Sequence, residues 1–450
     1  MSKRKVSAGT ITRREMLKGT GVVLGGLAVP GLLEACLSSS SAPTSSGSIK
    51  IGFVSPITGP AAGFGEPDGY VLGLARKAFQ NGITIGGTNY TVEIVDRDGQ
   101  STPSVGAQVA QDLIQSEKVD LMLTTSTPET VVPVSAACEA AHVPCISTVV
   151  PWEAWYLGMN GSPTKAVTFN YAYHYCFGVA QFLDAYTHLW PQVSTNKKVG
   201  VMYPNDADGN AIRGALAPAL HAVGGYTIVD PGAYNDGTND YTAQIQKFIA
   251  EDCEIFNTFP IPPDFATFWQ QAHQQGYTKK VKIAQIAKTG LFPSQVISLG
   301  AIGDGLASAV YWGHTWPYKS SLTGVTCQQL ADGYEAASGK QWNQQLGASM
   351  SLFDVASAAL KASGNPKDKS AVASAIKTLA VDTIVGHLDW TKPPTFGPGG
   401  PAIPNVQTTP IIGGQWKSNV SHWPLDFVIC ENSADTNVPV AGTLQPYTAG

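Results

Sequence analysis

The chain has 450 residues, with 28 Lys and Arg against 33 Asp and Glu, a formal net charge of -5, and only 14% charged residues. That mild acidity excludes the broad basic field of a nucleic-acid binder, and no apolar run approaches the ~20 residues of a membrane-spanning helix. At ~100–200 residues per domain, a chain with 43% hydrophobic residues can form two domains or one two-lobed body with ample core.

Residues 1–35 read as an export signal. Lys3, Arg4, Lys5, Arg13, Arg14 and Lys18 form a basic region, followed by a modestly apolar stretch over residues 19–33. Residues 12–18, Thr-Arg-Arg-Glu-Met-Leu-Lys, resemble the twin-arginine export motif, and Gly21, Gly25 and Gly26 keep the apolar stretch weak, as such signals tend to be. A general secretory signal that happens to hold two arginines is the alternative. Leu33-Glu34-Ala35-Cys36 resembles a lipobox, so Cys36 is the expected lipid attachment site. The Ser-, Pro-, Thr- and Gly-rich residues 36–47 then serve as the anchored cysteine and its flexible tether. Simple cleavage near Ala35 is the competing reading.

Beyond the tether, short β-branched runs alternate with amphipathic helices. Strands are expected over 49–55, 91–96, 120–124 and 145–149, with helices over 69–81, 104–116 and 130–141 between them. That βα alternation is the signature of a parallel sheet covered on both faces. Residues 151–172, rich in Pro, Gly, Trp and Tyr, break it, and a helix follows over 175–189. The alternation restarts with strands over 198–203, 226–229, 254–258 and 281–286 and helices over 210–223, 241–251 and 264–275. A strand over 310–315, three helices (327–337, 348–362, 369–378) and returning strands over 385–390, 410–416 and 425–430 complete the chain. The fold class is α/β, with two Rossmann-like doubly wound lobes. The first lobe takes residues 48–165 and about 320–410, the second about 166–319 and about 411–435.

The chemistry of catalysis is nearly absent from the pattern. There is no Gly-x-Ser-x-Gly elbow and no phosphate-binding loop. The 8 His are scattered without ligand spacing, and no metal or cofactor is assigned. Asp96, Asp98, Asp206 and Asp208 stand at strand ends, where capping the next helix is their ordinary task. With Cys36 set aside, six cysteines remain. Cys138 and Cys145 flank a tight connection and are either a disulfide or two buried thiols, while Cys176, Cys253, Cys327 and Cys430 cannot be paired from sequence. An exported two-lobed body without a catalytic constellation points to binding.

Three segments carry a family resemblance. Residues 49–53, Ile-Lys-Ile-Gly-Phe, run into residues 58–65, Thr-Gly-Pro-Ala-Ala-Gly-Phe-Gly. With Asp240–Ile245 and Ile384–Trp390 they resemble, in order and spacing over residues 48–430, the branched-chain amino-acid binding proteins, the type I periplasmic solute-binding family that serves ABC importers. The resemblance implies two lobes joined by three crossover segments, no enzymatic activity, and a monomer that closes on a small-molecule ligand for a cognate permease and ATPase complex. It also implies ligand contacts at Phe64, at Thr125, Ser126 and Thr127 ahead of a helix start, at Val150 and Trp152 after the fourth strand, and at Asp208 and Phe259 on the second lobe. Lys288 falls where amino-acid-binding relatives place an acidic residue. Facing the cleft, it would favour a carboxylate-bearing solute with an apolar or aromatic body over leucine; turned away, it is a solvated loop lysine. Branched-chain or other amino-acid import, and ligand sensing for a membrane receptor, remain the alternatives.

Overall fold

The computed structural model describes residues 47–397 and 399–448; the expected export signal over residues 1–35 and Cys36 lie outside the described residues. The chain first lays down β1 (Gly47–Ser55), α1 (Asp68–Ala78), β2 (Ile83–Ile85), β3 (Thr88–Asp98), α2 (Pro103–Gln115), β4 (Leu121–Thr125), α3 (Pro128–Ala140), β5 (Cys145–Thr148), α4 (Trp152–Gly158) and β6 (Ala172–Tyr175). It then crosses to a second body through α5 (Val179–Leu189). There it forms β7 (Lys198–Met202), α6 (Ala207–Gly224), β8 (Thr227–Val229), α7 (Thr242–Ala250), β9 (Ile255–Thr258), α8 (Pro262–Gln274), β10 (Ile283–Ile286), α9 (Pro293–Ile297) and β11 (Ala307–Val310). It returns through α10 (Cys327–Ser338), α11 (Gln345–Ala362), α12 (Lys369–Lys377), the hairpin β12 (Ala380–Thr383) and β13 (Gly386–Asp389), and β14 (Val406–Gln407). A third crossing leads to β15 (Ile412–Lys417) and β16 (Asp426–Ile429).

Two seven-stranded sheets result, in the orders β14-β6-β5-β4-β1-β3-β2 and β16-β15-β11-β10-β9-β7-β8. The first is parallel except at β2, and the second is parallel from β11 to β8, with β15 and β16 added antiparallel. Central strands such as β4 are buried along their whole length because helices cover both faces. α11 is buried nearly all round, so its alternation of Leu346, Met350, Phe353 and Leu360 with small residues fills the first lobe from within. The register of β1 against β3 and β4 sets Phe53 beside Asp96 and Leu123. The carboxyl ends of the first lobe's strands thus finish level, and ligands of open α/β sheets bind outside such ends.

Two expectations change, and one left open is decided. Residues 172–175 belong to the first lobe's sheet rather than the second's, because Cys145–Thr148 pairs with them in parallel and leaves the chain to cross only afterwards. The strand expected over 310–315 lies at 307–310, where Ala307 and Ser308 pair with Gln285 and Ile286. Cys138 and Cys145 are free, buried thiols rather than a disulfide. Both sit as small hydrophobes among Val134 and Val143, and burial pushes the Cys138 thiol well up, so it stays protonated and inert.

Candidate functional site

The cleft between the lobes is built from loops at the carboxyl ends of parallel strands. After β1 a short turn, Ala62–Gly65, holds Phe64. Asp98, at the end of β3, fastens this loop by accepting the N–H groups of Ile57 and Thr58 and the Thr58 hydroxyl. A side chain at Gly65 would come within 2.4 Å of the Pro56 carbonyl oxygen, so the turn needs glycine there. After β4, Ser126 and Thr127 lead into α3, which starts on Pro128, and Thr127 makes no capping bond with its own side chain.

Two non-glycine residues on these loops adopt positive φ: Ser126 at 141° and Val149 at 78°. A β-branched residue in this region is a true outlier, costing about 1–3 kcal/mol and persisting only where its surroundings over-determine it. Both residues line the same cavity, on adjacent strand ends.

The second lobe contributes a charged cluster. Asp206 caps α6 by accepting the Gly209 N–H at 2.6 Å, and Asp208 occupies the first turn. Lys288 follows β10, and its Nζ lies 3.0 Å from Asp206 Oδ2 and 3.0 Å from Asp208 Oδ2. All three side chains are nearly buried. Burial opposes the lysine's charge, but the Asp208 and Asp206 carboxylates hold its pKa above the usual lysine range. Burial pushes Asp208 up and Lys288 pulls it back. The ammonium is thus held between two carboxyl groups, each 3.0 Å away. Asp236, outside the cavity lining, is raised to about 6 by burial and then by Asp206.

The cavity enclosed by these groups is lined chiefly by apolar side chains, among them Phe64, Phe177, Phe182, Phe259, Leu291 and Ile411. Ser126 Oγ and Asp208 Oδ1, on opposite lobes, are buried polar atoms without a hydrogen-bond partner among the described residues. Unpaired buried polar groups are costly and call for an explanation. The free volume is about 40 Å³, against ~300–1,000 Å³ for sites that hold small molecules. The lobes must part to admit a solute.

Of the residues expected at the site, Phe64, Ser126, Thr127, Asp208, Phe259 and Lys288 come together here. Thr125, Val150 and Trp152 do not line the cavity. Thr125 is the last residue of β4 and is fully buried. The left-handed turn at Val149 sends that residue to the cavity and Val150 into a separate apolar cluster. Trp152 follows Val150 there and packs edge-on against Phe396 at 5.4 Å. Nearby Trp155 stacks on His174. Lys288 faces the cleft, but as the partner of two aspartates rather than as a free cation. The sequence reading missed Val149, Pro151, Phe177, Phe182, Ala287, Leu291, Ala309 and Ile411. The aromatic run Tyr173–Phe177 ahead of Gly178 was the available signal for Phe177.

A family model for periplasmic binding proteins matches residues 48–401. The chain belongs to the periplasmic binding protein family. Its task is therefore solute binding outside the cytoplasm rather than catalysis, and none of the helices among the described residues is long and apolar enough to cross a membrane. The chain is similar to Leu/Ile/Val-binding protein homolog 3 of Brucella melitensis biotype 1, with 21% identity over 356 residues covering 76% of this chain and 87% of that protein. Its fold resembles that of a leucine-binding protein from Thermotoga maritima (TM-score 0.67, 18% identity, covering 86% of this chain and 99% of that one). It equally resembles an ABC-transporter solute-binding protein from Rhodopseudomonas palustris in complex with 3,4-dihydroxybenzoic acid (TM-score 0.66, 18% identity, covering 85% and 96%). These structural likenesses establish the type I binding-protein fold: two α/β lobes joined by three crossings.

Proposed function

We propose that this binding protein is a lipid-anchored, monomeric substrate-binding component of an ABC importer. It takes a small solute with an apolar or aromatic body, a carboxylate at one end and a hydrogen-bond donor at the other. The observation that carries the ligand class is the pair of partnerless buried groups facing one apolar cavity, the Ser126 hydroxyl and Asp208 Oδ1. A ligand carboxylate suits the Ser126 and Thr127 hydroxyls ahead of α3, with the third proton of Lys288 in reserve. An ammonium or hydroxyl suits Asp208, which as a carboxylate can only accept. The phenylalanines supply the contact for the body between.

Amino acids and hydroxylated aromatic acids both have this layout, and the relatives named above include a leucine-binding protein and a dihydroxybenzoate complex. Support for the anchor is Cys36 in its lipobox, with the Ser-rich tether behind it. The importer partners follow from the family, and sensing for a membrane receptor is the alternative use of the same closure.

A matched series tests the ligand class: phenylalanine, phenethylamine, 3-phenylpropionate, isoleucine and 4-hydroxybenzoate, each screened by thermal shift and calorimetry. A compound with both end groups should stabilise the protein by about 2.7 kcal/mol at 100 times its Kd. Asp208→Asn should weaken that compound by about ten- to hundredfold. Equal binding of 3-phenylpropionate, indifferent to Asp208→Asn, would refute the two-ended site.

A further inference from the structure

Phe64 and Phe292 face each other across the cleft. Phe64 stands on the first lobe's opening loop and Phe292 on the second lobe, just after the turn that begins at Lys288. Their ring centroids are 4.9 Å apart at 82°, an edge-to-face geometry, and both rings are buried. Gly63 brings the first lobe's backbone flat against this ring: a side chain there would meet three Phe292 ring carbons at 3.3–3.4 Å. Further contacts join the lobes, α4 against α6 among them. Trp423 of the β15–β16 loop donates its indole N–H to Glu335 of α10 at 2.9 Å. Gln341, just after α10, donates to the Leu425 carbonyl and to Asp426.

These contacts are made directly between the lobes around a cavity of about 40 Å³, too small for the solutes such sites hold. We infer that the closed arrangement is held by the chain itself, through an aromatic latch of Phe64 and Phe292 seated on Gly63, so that the protein closes without solute and the latch sets how much of it is open to receive one. The cost is a lower apparent affinity, because only the open fraction can be entered. The inference stands whichever solute the cavity takes.

The test needs no ligand. Exposed Lys77 on α1 and Lys247 on α7 are replaced by spin-labelled cysteines in the intact protein, and the interlobe distance distribution is measured by pulsed electron resonance after solute has been removed by unfolding and refolding. The unaltered protein should show a short-distance population. In Phe292→Ala its ratio to the open population should fall about two- to tenfold. A single long-distance population in the unaltered protein, or unchanged distributions in Phe292→Ala, overturns the latch. Should Phe292→Ala not fold, Phe292→Leu is read in its place. Loss of folding in both also overturns it, since the ring would then belong to the second lobe's own core.

Discussion

Lys288 is the residue whose meaning changed most between sequence and structure. Its position at the exit of β10 is readable from the strand pattern, and so is its nearness to the cleft. What one sequence does not carry is that Asp206 and Asp208, some 80 residues earlier, arrive 3.0 Å from its ammonium. The lysine's charge is therefore spent inside the protein. Removing it leaves two buried carboxylates facing each other, and breaking a buried pair in this way costs about 3–5 kcal/mol. Lys288→Met should accordingly lower the urea midpoint sharply, and adding Asp208→Asn to the same chain should restore part of the loss. A midpoint that Lys288→Met leaves in place would mean that the cluster is solvated and its ion pairs do not hold the fold. Val149 shows the same limit on a smaller scale. The motif after β5 was legible, but a left-handed valine is not, and that single φ decides whether Val149 or Val150 meets the cavity.

Among the elements, the long ones are legible because burial leaves continuous apolar runs in β1, β4 and α11 and a one-sided apolar stripe in α6 and α8; all five fall within a few residues of where the pattern puts them. The elements missed are short or lie in the aromatic-rich break. α4, β6 and β14 are defined by what they pack against, with no local period to betray them. The join between α1 and α11 carries a titratable group that pattern cannot reveal. Asp68, in the first turn of α1, is fully buried and accepts the Ser349 hydroxyl of α11 at 2.6 Å. Burial raises it to about 7, against the lowering pull of Ser349 and Ser55. Its unfolded value is about 3.9, so between these two the folded protein binds the extra proton. The stability this provides is full at low pH and is lost as pH rises through about 7. Chemical unfolding at pH 5 and pH 8 should show the intact protein losing about 2–3 kcal/mol over that span from this group. Asp68→Asn, which cannot ionise, should lose less. Equal losses in the two proteins would mean that Asp68 does not titrate in this window.

At the scale of the whole molecule, the two-lobed plan was legible from the restarted βα alternation, whereas the exact crossing points depend on sheet pairing. The proposed export signal and anchor at the N-terminus lie beyond the described residues and are tested separately. Cys36→Ser should move the protein from the membrane fraction to the soluble one, with loss of the lipid mass; a variant that stays on the membrane at unchanged mass would exclude the anchor. The crossings themselves have a consequence for how the protein is made. The first lobe's sheet is started by β1 through β6, but α11, which packs against β4, β5 and α1, is encoded only after the whole parallel part of the second lobe. During synthesis the apolar face of that sheet waits uncovered while roughly 170 further residues emerge, about 8–34 s at ordinary rates of elongation. The second lobe's parallel strands, being contiguous, can pair in that interval. The lobe translated first is thus completed only after the second lobe's parallel strands have been made, and until α11 arrives it is a client for whatever shields nascent chains.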